Sequence, residues 1–448
     1  MSFTPSRRQF LRTVSGTAAG ALLPTSLWAG KKSPNDRPDI ACVGVGGKGW
    51  TDSNGAAKFG NIVAFCDVQE APFAKRRGGF VEAAKLWPKA RRYTDWREML
   101  DKEKGLDGIT VSTPDHMHAP VTMTAMQLGI SPYTQKPLTR TVHESRQLTE
   151  FAAKAGLATQ MGNQGHSGTT YNTLVKLIQG GAIGKVTAAH AWSNRPSWPQ
   201  GVDRPAKTAE VPSGLHWDLW LGVSPERPYA PDVYHPFKWR GWYDFGAGAL
   251  GDMGCHIIDP VVWALGLGAP SSVRYEGPPP SKETFPAWER LHYEFPGTEF
   301  TAGDSIRMVW HDGNKKPTHE EANLPGDAEI PANGCILVGE KGVAVTPHGK
   351  GSIRLYPESD YRDFKIEEVA GGDHYERWIN AIKGIGTTNS GFDYAGPLCE
   401  TVLLGCVACR VPGETLRWNA GKLQFQNSPE ATALLREEYR KGWEVAGL

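Results

Sequence analysis

The glycine-rich segment Gly44-Val45-Gly46-Gly47-Lys48-Gly49 constrains the fold of this 448-residue chain more than any other feature. It has the pattern G-x-G-x-x-G and lies between an apolar run at 40–45, typical of a strand, and a stretch at 49–59, typical of a helix. Glycines let the backbone turn tightly and approach a pyrophosphate, whose charge then lies at the N-terminus of the helix. The order of strand, turn and helix therefore predicts a dinucleotide-binding fold.

Asp67 strengthens this prediction. It ends the second predicted strand, 61–66, at about the spacing expected for the carboxylate that accepts hydrogen bonds from the adenosine ribose. A carboxylate at this place repels a 2′-phosphate, so the sequence predicts NAD rather than NADP as the cofactor. Because the glycine turn and Asp67 have the expected spacing, they argue against the alternative of a glycine-rich turn beside an N-capping aspartate.

Short apolar runs alternate with helical patterns from residue 39 to residue 159. Strands are predicted at 40–45, 61–66, 108–112, 133–134 and 158–161, and helices at 49–59, 70–86, 95–100, 120–128 and 142–155. Continuous apolar strands separated by helices indicate a parallel sheet that is covered on both faces. We therefore predict an α/β fold whose N-terminal part, residues 36–162, is a doubly wound Rossmann domain.

The pattern changes in the second part of the chain, residues 163–448. Residues 195–250 are rich in Pro, Gly, Trp and His, which favours long loops around a site. Further strands are predicted at 272–276, 290–295, 305–311, 334–339 and 343–346, and helices at 373–382, 395–409 and 430–440. A run of strands without intervening helices predicts an α+β domain with a largely antiparallel open sheet, suited to substrate binding and oligomerisation.

Two loops follow neighbouring strands of the predicted parallel sheet. One has the sequence Thr113-Pro114-Asp115-His116-Met117-His118, and the other is Gln135-Lys136-Pro137. Both emerge at the carboxyl ends of strands, where ligands bind in such sheets. With the glycine turn, these loops resemble the T-P-N/D-x-x-H and E-K-P loops of the Gfo/Idh/MocA oxidoreductase family, although Gln135 stands where that family usually has Glu.

The resemblance covers roughly residues 38–410 and is strongest in the first domain. It implies a Rossmann domain paired with an open-sheet substrate domain, and a cis bond before Pro137. The cofactor contacts that it and the motifs predict are Gly44, Gly46, Gly47, Lys48, Gly49, Asp67, Thr113, Pro114, His118, Gln135, Lys136 and Gln164. It also leads us to expect a homo-oligomer, a dimer or a tetramer.

The segment 251–259 contains Asp252 and His256, which share one face if the segment is helical. A carboxylate beside an imidazole can orient it and raise its proton affinity, as a general base requires. The resemblance implies that His256 takes the hydroxyl proton as hydride leaves, and that Lys136 hydrogen-bonds the substrate oxygen and the cofactor ribose. The alternative is a helix-capping aspartate with a structural histidine.

Aromatic, arginine and histidine side chains crowd the segment before Asp252, and the chain has 16 tryptophans. Such side chains suit hydroxylated rings, which have apolar faces and polar edges. The predicted carbohydrate contacts are His166, Trp192, Arg195, Tyr234, Trp239 and Arg240. The alternative is that about half of these tryptophans belong to the core or to an interface.

The N-terminus resembles a twin-arginine export signal. Arg7-Arg8 precedes Phe10-Leu11, and the uncharged stretch 14–27 is shorter than the roughly 20 apolar residues that span a bilayer. We predict a signal peptide at residues 1–30, cleavage after Ala29, a periplasmic location and no membrane anchor after cleavage. A net charge of +1 favours neither nucleic acid nor an anionic surface. The seven cysteines show no zinc-type pairing, and the C-x-x-C pair Cys406 and Cys409 lies in an apolar helical stretch without a redox context.

Three functions are compatible with these features. The first is an exported NAD(H)-dependent oxidoreductase that acts on a sugar hydroxyl with a tightly bound cofactor. The second is a redox-neutral glycosidase or lyase that oxidises, eliminates and reduces again; it needs a second titratable group, for which His166, Tyr234 and Tyr243 are candidates. The third is a catalytically silent sugar-binding protein, suggested only by Gln135.

Overall fold

The computed structural model describes residues 37–72 and 76–448 and contains two sheets. The first domain has the strands β1 (Asp39–Val43), β2 (Asn61–Cys66), β3 (Arg91–Tyr93), β4 (Gly108–Val111), β5 (Ser131–Thr134) and β6 (Gln160–Met161), and the helices α1 (Lys48–Ala57), α2 (Phe80–Leu86), α3 (Trp96–Lys102), α4 (His118–Gln127) and α5 (Val142–Ala155). The strands are parallel, in the order β3-β2-β1-β4-β5-β6. The strand order reverses between β1 and β4, which opens a crevice at their carboxyl ends.

Alternate residues of β1 enter two apolar clusters, one on each face of the sheet. Ile40 and Cys42 belong to one cluster, whereas Ala41 and Val43 pack with Met99 in the other. Because successive side chains of a strand point to opposite faces, a strand covered on both faces has to be apolar throughout. The continuous apolar runs in the sequence are a consequence of this double coverage.

The second sheet has nine strands. They are β7 (Val186–Trp192), β8 (Ser272–Glu276), β9 (Arg290–Pro296), β10 (Ser305–His311), β11 (Gly334–Gly339), β12 (Val343–Pro347), β13 (Arg354–Tyr356), β14 (Thr415–Asn419) and β15 (Gln424–Phe425). Their order is β13-β12-β11-β7-β10-β9-β8-β14-β15, with β7 and β10 parallel and the other neighbours antiparallel. The predicted fold class, a Rossmann sheet plus a largely antiparallel sheet, is confirmed.

The helices of the second part are α6 (Thr169–Gln179), α7 (Trp217–Leu221), α8 (Gly248–Ile257), α9 (Asp259–Leu265), α10 (His374–Ile382), α11 (Phe392–Ala408) and α12 (Pro429–Ala433). The sequence predicted a longer last helix, 430–440, of which the structure keeps only α12. It also predicted no strand at β7. That strand contains three alanines and pairs with β10 and β11, which lie far along the chain. Distant pairing has outweighed its weak strand propensity.

The predicted helix at 70–86 is reduced to α2. The chain before α2 folds back on the glycine turn instead, because Gly47 N donates to Arg77 O at 2.9 Å and Gly79 N donates to Val45 O at 3.0 Å. Gly79 has a φ of 117°, a conformation that favours glycine. The segment before α2 therefore supports the glycine turn.

Helix α10 joins the two parts of the molecule. Although it comes from the second part of the sequence, its Trp378 and Ile379 pack with Ile40 and Tyr133 of the first sheet. Trp378 is fully buried, and its indole nitrogen donates to Ala158 O at 3.2 Å. The first domain therefore depends on a helix contributed from beyond residue 370.

Within the described residues, no helix combines the length and the apolarity that crossing a bilayer requires. The predicted signal peptide at residues 1–30 lies outside the described residues. All seven cysteines are free and buried in the structure.

Replacing Trp378 by Ala should lower the free energy of unfolding by about 3–5 kcal/mol, the usual cost of truncating a buried tryptophan. Chemical denaturation followed by circular dichroism measures this change. Ile385→Ala, just beyond α10 at a side chain that is 46% exposed, is the control and should change stability by about 0.5 kcal/mol or less. Equal effects of the two substitutions would show that α10 does not hold the first domain.

Candidate functional site

A cavity of about 350 Å³ lies at the carboxyl ends of β1, β2, β4 and β5, where the two parts of the molecule meet. The first domain contributes Val43, Gly44, Gly46, Lys48, Cys66, Asp67, Val68, Arg76, Trp96, Ser112, Thr113, Pro114, Asp115, Met117, His118, Gln135 and Lys136 to its lining. The second contributes Leu219, Trp220, His235, Pro236, Trp239, Arg240 and His256. The cavity therefore occupies the crevice where open α/β sheets bind ligands.

The glycine turn leaves no room for side chains. Gly44 has a φ of 78°, and a Cβ atom there would lie 2.6 Å from Ser112 O. A Cβ at Gly49 would lie 2.0 Å from Gly44 O. Beside the turn, Lys48 Nζ pairs with the buried Asp52 carboxylate at 2.7 Å. The close approach of backbone to backbone makes the turn a cradle for a pyrophosphate at the start of α1.

Asp67 lines the cavity directly after β2. Its carboxylate accepts hydrogen bonds from Val45 N at 2.9 Å and from Gln69 N at 3.0 Å, which fixes its orientation beside the glycine turn. Burial raises the pKa of Asp67, while these backbone donors oppose the shift. Each carboxylate oxygen has a further lone pair, so Asp67 can also accept from the two hydroxyls of a ribose.

Four polar atoms of residues at the cavity are buried without a hydrogen-bond partner among the described residues: Trp96 Nε1, Thr113 Oγ1, Gln135 Nε2 and His256 Nδ1. Buried polar groups are normally paired, so unpaired ones call for an explanation. A dinucleotide with ribose hydroxyls and a carboxamide offers partners of the right kind. With the glycine cradle and Asp67, these residues fit the predicted cofactor.

His118 braces the two motif loops against each other. Its Nδ1 lies 2.7 Å from Pro137 O, and its Nε2 lies 3.0 Å from Thr113 O. Burial lowers the pKa of His118 to about 4, while the two carbonyl oxygens oppose that shift. The Lys136–Pro137 bond is cis, as the resemblance implies.

Lys136 and Arg240 share the carboxylate of Asp252. Lys136 Nζ lies 2.9 Å from Asp252 Oδ1 and 2.5 Å from Asp252 O, and Arg240 Nε lies 3.0 Å from the same Oδ1. Burial favours the neutral acid, but the two cations hold the pKa of Asp252 well below its usual value. Asp252 therefore fixes a lysine from the first domain beside α8 of the second.

This arrangement corrects the expected role of Asp252. The sequence predicted that its carboxylate orients His256 and raises the proton affinity of that imidazole. Instead, the carboxylate is bonded to Lys136 and Arg240, so it orients the lysine and not the imidazole. Burial, followed by Lys136 and His348, lowers the pKa of His256 well below its usual value, whereas the charge of Asp252 raises it, as the sequence predicted. The net effect is a neutral imidazole.

The structure places the predicted site residues as follows. The cavity is lined by Gly44, Gly46, Lys48, Asp67, Thr113, Pro114, His118, Gln135, Lys136, Trp239, Arg240 and His256. Outside its lining lie Gly47, Gly49, Gln164, His166, Trp192, Arg195, Tyr234 and, bonded to Lys136, Asp252. Gln164 donates to Tyr133 Oη at 2.5 Å.

Three of the predicted carbohydrate contacts belong to the packed interior. Trp192 is fully buried, and its indole nitrogen donates to Pro331 O at 2.8 Å. His166 Nδ1 lies 2.8 Å from an oxygen of the Asp259 carboxylate, and its ring stacks on Trp263. Tyr234 is 2% exposed, within an aromatic cluster. These three side chains pack against or bond to interior groups, and none of them lines the cavity.

Tyr243, a further candidate for the second titratable group, is also buried, with its ring edge-on to Phe285. Burial raises the pKa of Tyr243 well above its usual value. None of the candidates His166, Tyr234 and Tyr243 lines the cavity.

Sequence reasoning missed several residues of the site. Asp115 lies in a recognised motif; it accepts from Ala247 N at 3.1 Å, and burial raises its pKa to about 7. Trp220 and Arg76 also line the cavity. Two of them could have been predicted from the sequence, since Asp115 belongs to the motif at 113–118 and Trp220 to the aromatic-rich segment at 195–250. No sequence pattern pointed to Arg76, because its position depends on how the chain folds back before α2.

Family models match both parts of the chain. Residues 37–163 match the NAD-binding Rossmann fold of the Gfo/Idh/MocA oxidoreductase family, and residues 167–320 match the C-terminal alpha/beta domain of the same family. The chain belongs to this family. Its first domain is accordingly an NAD-binding domain, in agreement with the glycine cradle and Asp67.

Named relatives match shorter stretches. A glycosyl hydrolase family 109 protein of Stenotrophomonas maltophilia is 29% identical over 136 residues, which cover 29% of this chain and 29% of that protein. Levoglucosan dehydrogenase of Pseudarthrobacter phenanthrenivorans is 23% identical over 206 residues, which cover 46% of this chain and 42% of that enzyme. The chain thus spans less than half the length of either relative.

Solved structures share the fold across most of the chain. The WlbA dehydrogenase from Bordetella pertussis, crystallised with NADH and UDP-GlcNAcA, has a TM-score of 0.58 at 14% identity and covers 86% of this chain and 99% of its own. UDP-N-acetylglucosamine 3-dehydrogenase from Acidithiobacillus ferrooxidans has a TM-score of 0.53 at 14% identity, with 84% and 98% covered. At these identities the likeness establishes the fold.

Asp67→Ala should weaken NAD binding about ten- to a hundredfold, because a charged hydrogen-bond acceptor for the ribose is lost. The preference for NAD over NADP should also diminish, since the carboxylate no longer repels a 2′-phosphate and Arg76 lines the same cavity. Isothermal titration of cofactor-free protein with both nucleotides measures this. Asp95→Ala, which removes the N-cap of α3 outside the cavity, is the control. An unchanged preference in Asp67→Ala would place the adenosine elsewhere.

Proposed function

We propose that this protein is an exported NAD(H)-dependent oxidoreductase that transfers hydride between a hydroxyl of a sugar or sugar derivative and a tightly bound NAD. The observation that carries the proposal is the neutral imidazole of His256 beside Lys136, where the NAD cavity meets the second domain. Relatives named as levoglucosan dehydrogenase and scyllo-inositol 2-dehydrogenase support a carbohydrate substrate.

Each residue of the site has a distinct proposed role in alcohol oxidation. When bound, NAD supplies the hydride acceptor. His256 takes the proton of the substrate hydroxyl, and the ammonium of Lys136 donates a hydrogen bond to the same oxygen as it becomes a carbonyl. Asp252 is the positioning residue, because its carboxylate holds Lys136 at 2.9 Å. Trp239 and Arg240, on the second-domain side of the cavity, are proposed to contact the sugar.

The second domain also encloses the adenosine end of the cavity. Glu70 N donates to Gly214 O at 2.8 Å, and His216 N donates to Val68 O at 2.9 Å, so residues 214–216 run along the chain that follows Asp67. Leu219 and Trp220 continue this enclosure. A cofactor covered in this way dissociates slowly, which supports the proposal that the protein folds around NAD and retains it through export.

A redox-neutral glycosidase is the second candidate function. It is favoured by relatives named as glycosyl hydrolase family 109 proteins and by a second histidine, His348, whose ring lies 5.3 Å from that of His256. In either case retained NAD requires a redox cycle that closes on the same cofactor. We also propose that the mature protein is periplasmic and forms a homo-oligomer.

Protein purified from the periplasm should contain about one NAD or NADH per chain, because the enclosed cofactor cannot be replaced there. Denaturing release followed by mass spectrometry measures this content. Asp67→Ala, purified in the same way, is the control and should contain less. Cofactor-free protein that binds NAD only when it is added would contradict retention and favour an ordinary dehydrogenase with an exchangeable cofactor.

His256→Ala should lose about 10²- to 10⁴-fold in turnover, the usual contribution of a positioned general base, and should retain bound NAD. Reduction of the bound cofactor by a panel of sugars, followed by absorbance, measures turnover, and mass spectrometry measures the NAD content. Loss of NAD from His256→Ala would instead assign the imidazole a structural role.

A further inference from the structure

A second imidazole lies beside His256, and no sequence motif points to it. His348 directly follows β12, and its ring is 5.3 Å from the His256 ring, with 28° between the two planes. Both side chains are partly exposed. Lys136 and Arg195 lie close enough to His348 to lower its pKa further after burial has done so. His348 does not itself line the NAD cavity, but it lies directly beside His256, which does.

Hydrogen bonds at the ends of β7, β11 and β12 fix the position of His348. Asn333, which precedes β11, accepts a hydrogen bond from His348 N through its carbonyl oxygen at 2.9 Å. Its side-chain oxygen accepts from Asn194 N at 2.9 Å and from the Ser193 hydroxyl at 2.8 Å. Since β11 pairs with both β7 and β12, Asn333 joins the ends of three strands and brings His348 together with Arg195.

The hydrogen bonds of Tyr171 determine which nitrogen of His348 carries the proton. The Tyr171 hydroxyl donates to His256 O at 2.9 Å, so its oxygen has to accept from His348 Nδ1, which lies 2.8 Å away. Burial raises the pKa of Tyr171 well above its usual value, so its hydroxyl stays protonated.

A neutral imidazole has a single N–H group, so His348 Nε2 keeps its lone pair. No described residue forms a hydrogen bond with that nitrogen. The pKa of His348 is lowered to about 4, first by burial, so the ring is neutral at pH 7. His348 is thus an oriented base.

We propose that His348 is a second acid–base residue of the site, which removes the proton from the carbon next to the carbonyl formed by hydride transfer. This inference rests on the proposed function. A hydroxyl on one ring carbon and the hydrogen on the next are separated by one carbon–carbon bond. The groups that act on them must lie side by side, as the rings of His256 and His348 do.

The groups at the site account for every proton and electron pair of this step. The carbon–hydrogen bond breaks, the proton joins His348 Nε2, and the electron pair forms a carbon–carbon double bond while the carbonyl becomes an enolate beside Lys136. If the following carbon bears an oxygen substituent, that substituent leaves with the electron pair of its bond and receives the proton from His348. The substrate class is therefore a glycoside, or another sugar with an oxygen leaving group two carbons from the oxidised one.

Deuterium exchange tests this role. Protein with bound NAD is incubated in D₂O with p-nitrophenyl α- and β-glycosides of glucose, galactose and their N-acetylamino forms, and deuterium in the recovered sugar is measured by mass spectrometry. His348→Gln should lower deuterium incorporation at least about 100-fold, with hydride transfer to the bound cofactor lowered about tenfold at most. His292→Gln is the matched control and should change neither rate. His292 is a half-buried histidine of β9 that pairs with Glu276 of β8. Exchange that persists in His348→Gln, or falls only in step with hydride transfer, overturns the proposal.

A measurement without any sugar is independent of substrate choice. NMR of ¹⁵N-histidine-labelled protein should show His348 unprotonated at Nε2, and Tyr171→Phe should weaken this preference because the acceptor for Nδ1–H is lost. A proton on Nε2 in the unaltered protein would overturn the inference. Failure of every glycoside to change the absorbance of the bound cofactor would instead contradict the proposed function, so the two failures are distinguishable.

Discussion

The carboxylate of Asp252 is the interaction on which the site depends. It accepts from Lys136 of the first domain and from Arg240 of the second, and the Asp252 and Lys136 side chains are only 14% and 12% exposed. A pair of charges with so little water is retained only if every partner is in place, since removing one leaves an unpaired buried charge. His256 lies beside this interaction. Burial, and after it Lys136, lowers the pKa of the imidazole, whereas the Asp252 charge raises it. One carboxylate thus positions the lysine and partly offsets the effect of that lysine on the neighbouring base.

The ends of three neighbouring strands of the second sheet lie beside His256. β7, β11 and β12 are neighbours in that sheet, so residues at their ends meet although they are far apart in sequence, as Arg195 and His348 do. Asn333 makes this meeting specific, because its carbonyl and its amide oxygen bind different strand ends. The first domain thereby provides most of the cofactor cavity, and the sheet places His348, with Arg195 near it, next to His256. The functions compatible with the site share the hydride step and differ in what the second base does afterwards.

The sequence predicted the first domain well and the second only in outline. The glycine turn, Asp67 and the loop at Lys136 are local patterns whose spacing carries the geometry, so their positions at the cavity could be foreseen. The partner of Asp252 could not, because helical spacing places Asp252 near His256 but says nothing of a lysine 116 positions earlier. Nor could His348, which reaches the site through strand pairing. Trp192 and Tyr234 were predicted at the substrate from composition alone, and both are buried in apolar clusters. Composition cannot distinguish an aromatic residue of the site from one of the core.

Enclosure of the cofactor connects the fold to the chemistry. Residues 214–216 hydrogen-bond along the chain that follows Asp67, and helix α10 packs into the core of the first domain, so segments from the second part of the chain complete the first domain and the surroundings of the NAD cavity. If the cofactor is retained as proposed, separating the second domain from the first to release it would also break the contacts of Asp252 with Lys136. The proposed catalysis and the proposed retention thus depend on the same ion pair. Under the proposed retention, bound NADH has to be oxidised in place before the site can begin another cycle, either by a second substrate that accepts the hydride or by reduction of the same sugar after elimination.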